Sequence, residues 1–174
     1  LAFGRTGGTV DTLHVVLPDG SGRVEVSGPL VSGGNVGGFA WSPDSTRIAF
    51  VPDAETDDLH ELFVVVRDGT GRVKVSGKIL AGGGIEDFRW SPDSTRLAVL
   101  GRLGSTAPTD LFTVLAGETG SRAPVHSGLP IGGDVVRFEW APDGPRLVYV
   151  ADQLVDETFE LFSSLPDGTG NARL

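Results

Sequence analysis

The residues best equipped for chemistry in this sequence are carboxylates. The stretch Asp53-Ala54-Glu55-Thr56-Asp57-Asp58 sets Asp53, Glu55 and Asp57 at alternate positions, and these are hard oxygen ligands of the kind calcium accepts. An EF-hand loop begun at Asp53 would need glycine at its sixth place and a bidentate glutamate at its twelfth, where this chain has Asp58 and Val64. The stretch is therefore not an EF-hand, and two readings stay open: a weak calcium site on Asp53, Glu55 and Asp57, or a solvated acidic loop. The corresponding stretch one period later, Arg102 to Thr109, has no carboxylate, whereas the next offers Asp152, Asp156 and Glu157.

Other chemistries lack their parts. The chain has no cysteine, which removes disulfides, thiolate zinc sites, cysteine nucleophiles and iron–sulfur clusters. His14, His60 and His126 fall at different points of the sequence pattern, with none of the short spacings of a zinc site. No Gly-x-Ser-x-Gly nucleophile turn occurs. Gly20-Ser21-Gly22 and Gly69-Thr70-Gly71 lead into strand-like sequence, with no helix start to hold a phosphate. The expectation is a protein that is not an enzyme and carries no cofactor. With 14 Lys+Arg against 23 Asp+Glu the net charge is −9, which would repel a nucleic-acid backbone and favours a neutral or basic partner. No apolar run reaches the roughly 18 residues a membrane helix needs. Hydrophobic residues make up 39% and charged ones 21%, enough to bury a core.

Along the chain, the candidate residues repeat. Phe39-Ala40-Trp41-Ser42-Pro43-Asp44-Ser45-Thr46-Arg47-Ile48-Ala49-Phe50 returns as Phe88-Arg89-Trp90-Ser91-Pro92-Asp93-Ser94-Thr95-Arg96-Leu97-Ala98-Val99. It returns again, altered, as Phe138-Glu139-Trp140-Ala141-Pro142-Asp143-Gly144-Pro145-Arg146-Leu147-Val148-Tyr149, so that Trp41, Trp90 and Trp140 are 49 and 50 residues apart. Leu62-Phe63, Leu111-Phe112 and Leu161-Phe162 run in step, with Leu13-His14 one period earlier. So do the turns Asp19-Gly20-Ser21-Gly22, Asp68-Gly69-Thr70-Gly71 and Asp167-Gly168-Thr169-Gly170, with Gly117-Glu118-Thr119-Gly120 in the remaining slot. Repetition changes the meaning of Asp44, Asp93 and Asp143. An active site breaks symmetry, whereas a turn cap is needed in every unit. Trp41, Trp90, Trp140 and the three aspartates are thus read as structural residues, and Arg47, Arg96 and Arg146 as partners for carboxylates between units.

Within a unit the local signals are short strands joined by turns. Ile85 to Trp90 places Phe88 and Trp90 on one strand face. A Ser-Pro-Asp turn follows, then strands over Arg96 to Leu100, Leu62 to Val66 in the preceding unit, and Arg72 to Ser76, where Val73 and Val75 alternate with Arg72, Lys74 and Ser76. Each unit is predicted to be a four-stranded antiparallel meander, and no apolar pattern of helical period appears. A sheet of about 50 residues cannot cover both its faces, so the units must stack. Radial stacking into a β-propeller is the natural solution for units of this size.

Trp-Ser-Pro-Asp-x-x-Arg-Ile/Leu-Ala, followed by Glu/Asp-Leu-Phe and Asp-Gly-Thr-Gly, resembles the WD-repeat-like units of TolB-type bacterial β-propellers, and the propellers attached to prolyl-oligopeptidase-like enzymes. The resemblance covers almost the whole chain, departing at Gly117 and Ala141. It implies an all-β fold acting as a protein-binding platform, in the periplasm or outside the cell, or as a gate beside a catalytic domain.

At 49 to 50 residues a unit, 174 residues amount to about 3.5 blades, fewer than the four to eight of closed rings. The boundaries fall at 1–34 (partial), 35–83, 84–133 and 134–174 (partial), with Leu1 opening a strand and only the start of a fourth strand in Ala172-Arg173-Leu174. An open half-ring leaves large apolar faces, which predicts closure with a second copy into a ring of about eight blades. The alternatives are a piece of a longer propeller, including one that accompanies a hydrolase domain, and an engineered or excised half-propeller with no cellular role of its own.

Overall fold

A computed structural model describes residues 2–4, as backbone, and residues 12–174; the strand read at Leu1 lies outside them. Four antiparallel sheets follow one another along the chain, and no helix occurs among the described residues. The first has three strands, β1 (Ala2–Gly4), β2 (Thr12–Val15) and β3 (Val24–Glu25). The second comprises β4 (Val36–Trp41), β5 (Arg47–Pro52), β6 (Phe63–Val66) and β7 (Val73–Lys74). The third comprises β8 (Gly84–Trp90), β9 (Arg96–Arg102), β10 (Asp110–Leu115) and β11 (Ala123–Pro124). In the fourth, β12 (Val135–Trp140), β13 (Leu147–Ala151) and β14 (Glu160–Ser164) are completed by β15 (Ala172–Arg173). That last strand is two residues long, as are β7 and β11. Each sheet is a meander in which strands adjacent in sequence pair.

The outer strand is shorter than alternation alone predicts, because the chain bends. The amides of Val75 and Ser76 both donate to the Leu62 carbonyl, at 2.9 and 3.2 Å. The Ser76 hydroxyl accepts the Leu62 amide at 3.1 Å and is wholly buried. Ser27 does the same for Leu13. The inner strands β4, β8 and β12 each carry a register shift, after Val36, Ile85 and Val135, and a bulge of this kind bends a strand and increases its twist.

The central strands explain why the sheets must stack. Along β5 the side chains alternate sides: Ile48 and Phe50 join a core with Leu13 and Val26 of the first sheet, while Ala49 and Val51 join one with Leu97 and Val99 of the third. Along β9, Leu97 and Val99 face back and Ala98 and Leu100 face forward, onto Leu147 and Tyr149 of the fourth sheet. Three hydrophobic cores therefore lie between consecutive sheets, and the second and third sheets are buried on both faces. The tryptophans fasten these joints: Trp90 Nε1–H donates to Ala40 O at 3.1 Å and Trp140 Nε1–H to Arg89 O at 3.0 Å.

Candidate functional site

The acidic loop between β5 and β6 gathers Asp53, Asp57 and Asp58, whose oxygens lie within 4.8 Å of one another. Glu55 is elsewhere: it accepts from Lys74 Nζ at 2.7 Å, and the same ammonium reaches Glu61 at 3.1 Å. Burial pushes the Glu61 carboxyl above its ordinary range, against the pull of Lys74. Asp53 is buried and accepts from the backbone amide of Asn35 and from Asn35 Nδ2. The fourth sheet repeats the arrangement. Asp152 accepts from the amides of Asp134 at 2.6 Å and Glu157 at 3.0 Å, and Asp58 and Glu157 share a left-handed backbone at φ 61°. The first carboxylate of each loop thus serves to tie the loop to the start of the inner strand of its own sheet.

The turn aspartates are occupied in the same way. Asp44 Oδ1 accepts from the Ser42 hydroxyl at 2.5 Å, the Thr46 amide at 3.0 Å and the Thr46 hydroxyl at 2.8 Å. Asp93 accepts from Ser91 and Thr95 at 2.7 to 3.0 Å. Asp19, Asp68 and Asp167 cap the outer turns through Ser21, Thr70 and Thr169. These bonds hold all five carboxyls below the usual carboxylate range, hydrogen bonds from neighbouring hydroxyls being the largest cause in each. In the fourth sheet Ala141 has no hydroxyl and Pro145 neither hydroxyl nor amide hydrogen, so Asp143 loses all three donors.

Among the described residues Arg47, Arg96 and Arg146 form no ion pair with a carboxylate, contrary to expectation. The Arg47 guanidinium lies 5.6 Å from the Trp90 ring centre and donates to Ser94 O at 2.8 Å and Ala116 O at 3.5 Å. Arg146 donates to Ser163 Oγ at 2.9 Å and Gly170 O at 2.9 Å. Carbonyls and a ring face absorb these charges because the facing turns present backbone oxygens. A second set of arginines stands just before the outer strands. Arg72 stacks 4.4 Å from the Phe63 ring and Arg122 lies 6.0 Å from Phe112. At the corresponding place in the fourth sheet Asn171 bonds the Tyr149 hydroxyl, which donates to Gln153 at 2.5 Å. The signal available was the recurrence of Arg23, Arg72 and Arg122 after each outer turn, broken at Asn171.

The histidines stand apart from one another. His14 bonds Thr12 at 2.9 Å, and burial lowers its pKa. His60 offers its carbonyl to Ile85, while His126 pairs with Asp110 at 2.5 Å and accepts the Gly128 amide at Nδ1.

No family model and no curated protein sequence matches the chain. Solved structures do. A protein of Agrobacterium tumefaciens assigned as a TolB superposes with a TM-score of 0.59 at 13% identity, over 94% of this chain and 56% of its own. The β-propeller domain of the Trilobed protease from Pyrococcus furiosus, described as having an open velcro topology, gives 0.60 at 16% identity over 94% and 49%. These four sheets are propeller blades. A puromycin-hydrolyzing peptidase of Mycobacterium tuberculosis also matches, with a TM-score of 0.60 at 14% identity over 87% of this chain and 26% of its own. The chain therefore spans between about a quarter and somewhat over half of these structures. The fold is that of a partial propeller built from TolB-like repeats.

Blade four differs from its predecessors on one face. Leu13, Leu62 and Leu111 occupy one repeat position and are each 0% exposed, covered by the next blade, whereas Leu161 is 43% exposed. Val26, Val75 and Val125 accompany them with at most 2% exposure, whereas Leu174, whose amide bonds Leu161 O as Val75 bonds Leu62 O, is 69% exposed. Val136 and Phe159 are exposed as well.

Proposed function

We propose that this chain is a non-enzymatic propeller module which completes its ring with a second copy of itself, about eight blades in all, and presents its loops to a protein partner. The observation that supports it most is the blade-four face. Leu161 stands where blades one to three bury a leucine and Leu174 where they bury a valine, and both are uncovered. Covering apolar surface of this kind is favourable by roughly 25 cal/mol per Å², and another blade of the same repeat has the complementary shape. The repeating carboxylates of Asp44 and Asp93 are taken up by the hydroxyls and amides of their own turns, which supports the non-enzymatic reading. By its likeness to TolB-type repeats the module is assigned to the periplasm or the extracellular space.

Light scattering on the purified chain tests the reading. It expects a folded species of twice the 18.1 kDa chain mass, and a well-folded species of 18.1 kDa would overturn it. A second reading rests on the partial overlap with longer chains, among them a puromycin-hydrolyzing peptidase and the propeller domain of a protease: the face is then covered by a further blade of the same polypeptide, which accompanies a hydrolase domain.

A further inference from the structure

The joint between blades two and three and the joint between blades three and four are built from equivalent residues and end differently. In the first, Arg47 fills the slot: its guanidinium lies over Trp90 and donates to Ser94 O and Ala116 O. Ser94 Oγ accepts the Asp44 amide at 3.1 Å, and the Ala116 amide donates to Thr95 O at 3.0 Å, closing the two turns over it. In the second, the Ser94 hydroxyl and the Ala116 amide hydrogen that close the first have no counterpart. Gly144 stands for Ser94, and Pro145 for Thr95. Pro166 stands for Ala116 and has no amide hydrogen, while its carbonyl is taken by the Thr113 hydroxyl at 2.7 Å, a bond that the equivalent Val64 cannot make. The result is an open groove of about 490 Å³ between the turns, lined by Trp140, Arg96, Asp143 and several prolines. Among the described residues the Arg96 guanidinium makes neither the ring contact nor the carbonyl bonds of Arg47, and the Asp143 carboxylate has no bonding partner.

We propose that this groove binds the arginine side chain of a basic partner peptide. The molecule already shows the chemistry one joint away, where a guanidinium sits on the equivalent tryptophan and bonds the equivalent carbonyls. The open slot keeps the indole of Trp140 and the Gly144 carbonyl, and adds a carboxylate freed of its three donors, which a guanidinium can meet with two parallel N–H bonds. Its volume lies within the range of ligand clefts. The net charge of −9 favours approach of a basic segment. Arg96 at the groove wall is the competing occupant, and its charge bears on Asp167 in the outer turn of blade four. The proposal stands whether or not the ring closes with a second copy.

The test is a titration of the whole chain with acetyl-Gly-Arg-Gly-amide, followed by NMR at the tryptophan indole N–H signals, with the citrulline peptide as an uncharged isostere. The expected result is a saturable shift at Trp140 and none at Trp90, with the citrulline peptide weaker by about tenfold. Asp143→Asn should weaken the arginine peptide by about five- to tenfold, and the double change Gly144→Ser with Pro145→Thr, which restores the serine hydroxyl at the slot and two of the Asp143 donors, should abolish the shift. Arg96→Ala should leave binding unchanged or tighten it. The proposal is overturned if the wild-type chain shows no shift at Trp140, if the citrulline peptide binds equally, or if Arg96→Ala abolishes binding. The last outcome would make Arg96 the recognition group for an anionic ligand.

Discussion

Leu111 and Leu161 hold the same place in the repeat, each the second residue of its strand, yet one is sealed and the other is 43% exposed. Their own blades differ little, since both strands pair in the same register with the strand before them. What differs is the neighbour. A propeller blade is an unfinished object: its sheet hydrogen bonds are satisfied within the blade, but its apolar faces are satisfied only by the next one. Blades two and three therefore look complete, and blade four looks complete on the face toward blade three alone.

The largest effect expected from this contrast is at the tryptophans. Trp90 is 8% exposed in a two-sided joint, so Trp90→Ala should cost about 3–5 kcal/mol in urea denaturation. Trp140, half-buried at the open groove, should cost distinctly less under the same change. Equal losses would contradict the distinction between the two joints. Next comes Leu161→Asp. If a second copy covers blade four, this substitution should convert the dimer into monomers with native near-UV circular dichroism, whereas Leu111→Asp should prevent folding.

A smaller pair sharpens the comparison between turns. Asp93→Ala removes the acceptor of three bonds and should cost about 1 kcal/mol; Asp143→Ala, which has no donor to lose, should stay within about 0.5 kcal/mol of the parent. The smallest expected effect is on acid stability. Asp19, Asp44, Asp68, Asp93 and Asp167 have lowered pKa values in the fold, so each contributes stability above the ordinary aspartate pKa that is lost as pH falls through the lowered one. Thermal melts of Asp44→Asn and Asp93→Asn below about pH 4 should show a shallower decline than the parent, and an unchanged slope would remove these caps from the account.

The blade is legible in the sequence because its markers are chemical as well as periodic. Trp, Pro, Asp and Gly each do one thing at one place, so Trp90-Ser91-Pro92-Asp93 reveals strand end, turn and next strand together. What joins blades is less legible. Arg47 meets Trp90 and Ala116, 43 and 69 residues away, and an arginine between units reads as an ion-pair partner until the facing surface proves to be carbonyl and ring. The outer strands are only two residues long, although Val75 and Ser76 continue the alternation, because the chain has bent out of the ladder there. The substitutions at Ala141, Gly144 and Pro145 are visible in the sequence as decay of a motif. Only the equivalent joint, closed over Arg47, shows that their loss opens a groove. In the acidic loop, composition drew Glu55 together with Asp53 and Asp57, whereas Lys74 on the neighbouring outer strand draws Glu55 away.

The central claim is that the outer face of blade four is a covered interface, and the absence of cysteine makes it directly measurable. Single cysteines introduced as Leu161→Cys and, on an exposed loop away from that face, Leu80→Cys can be compared for their rate of reaction with a thiol reagent. The account predicts that the cysteine at 161 reacts far more slowly than the one at 80 at high protein concentration and approaches it on dilution. Equal rates at every concentration, in a folded protein, would contradict it.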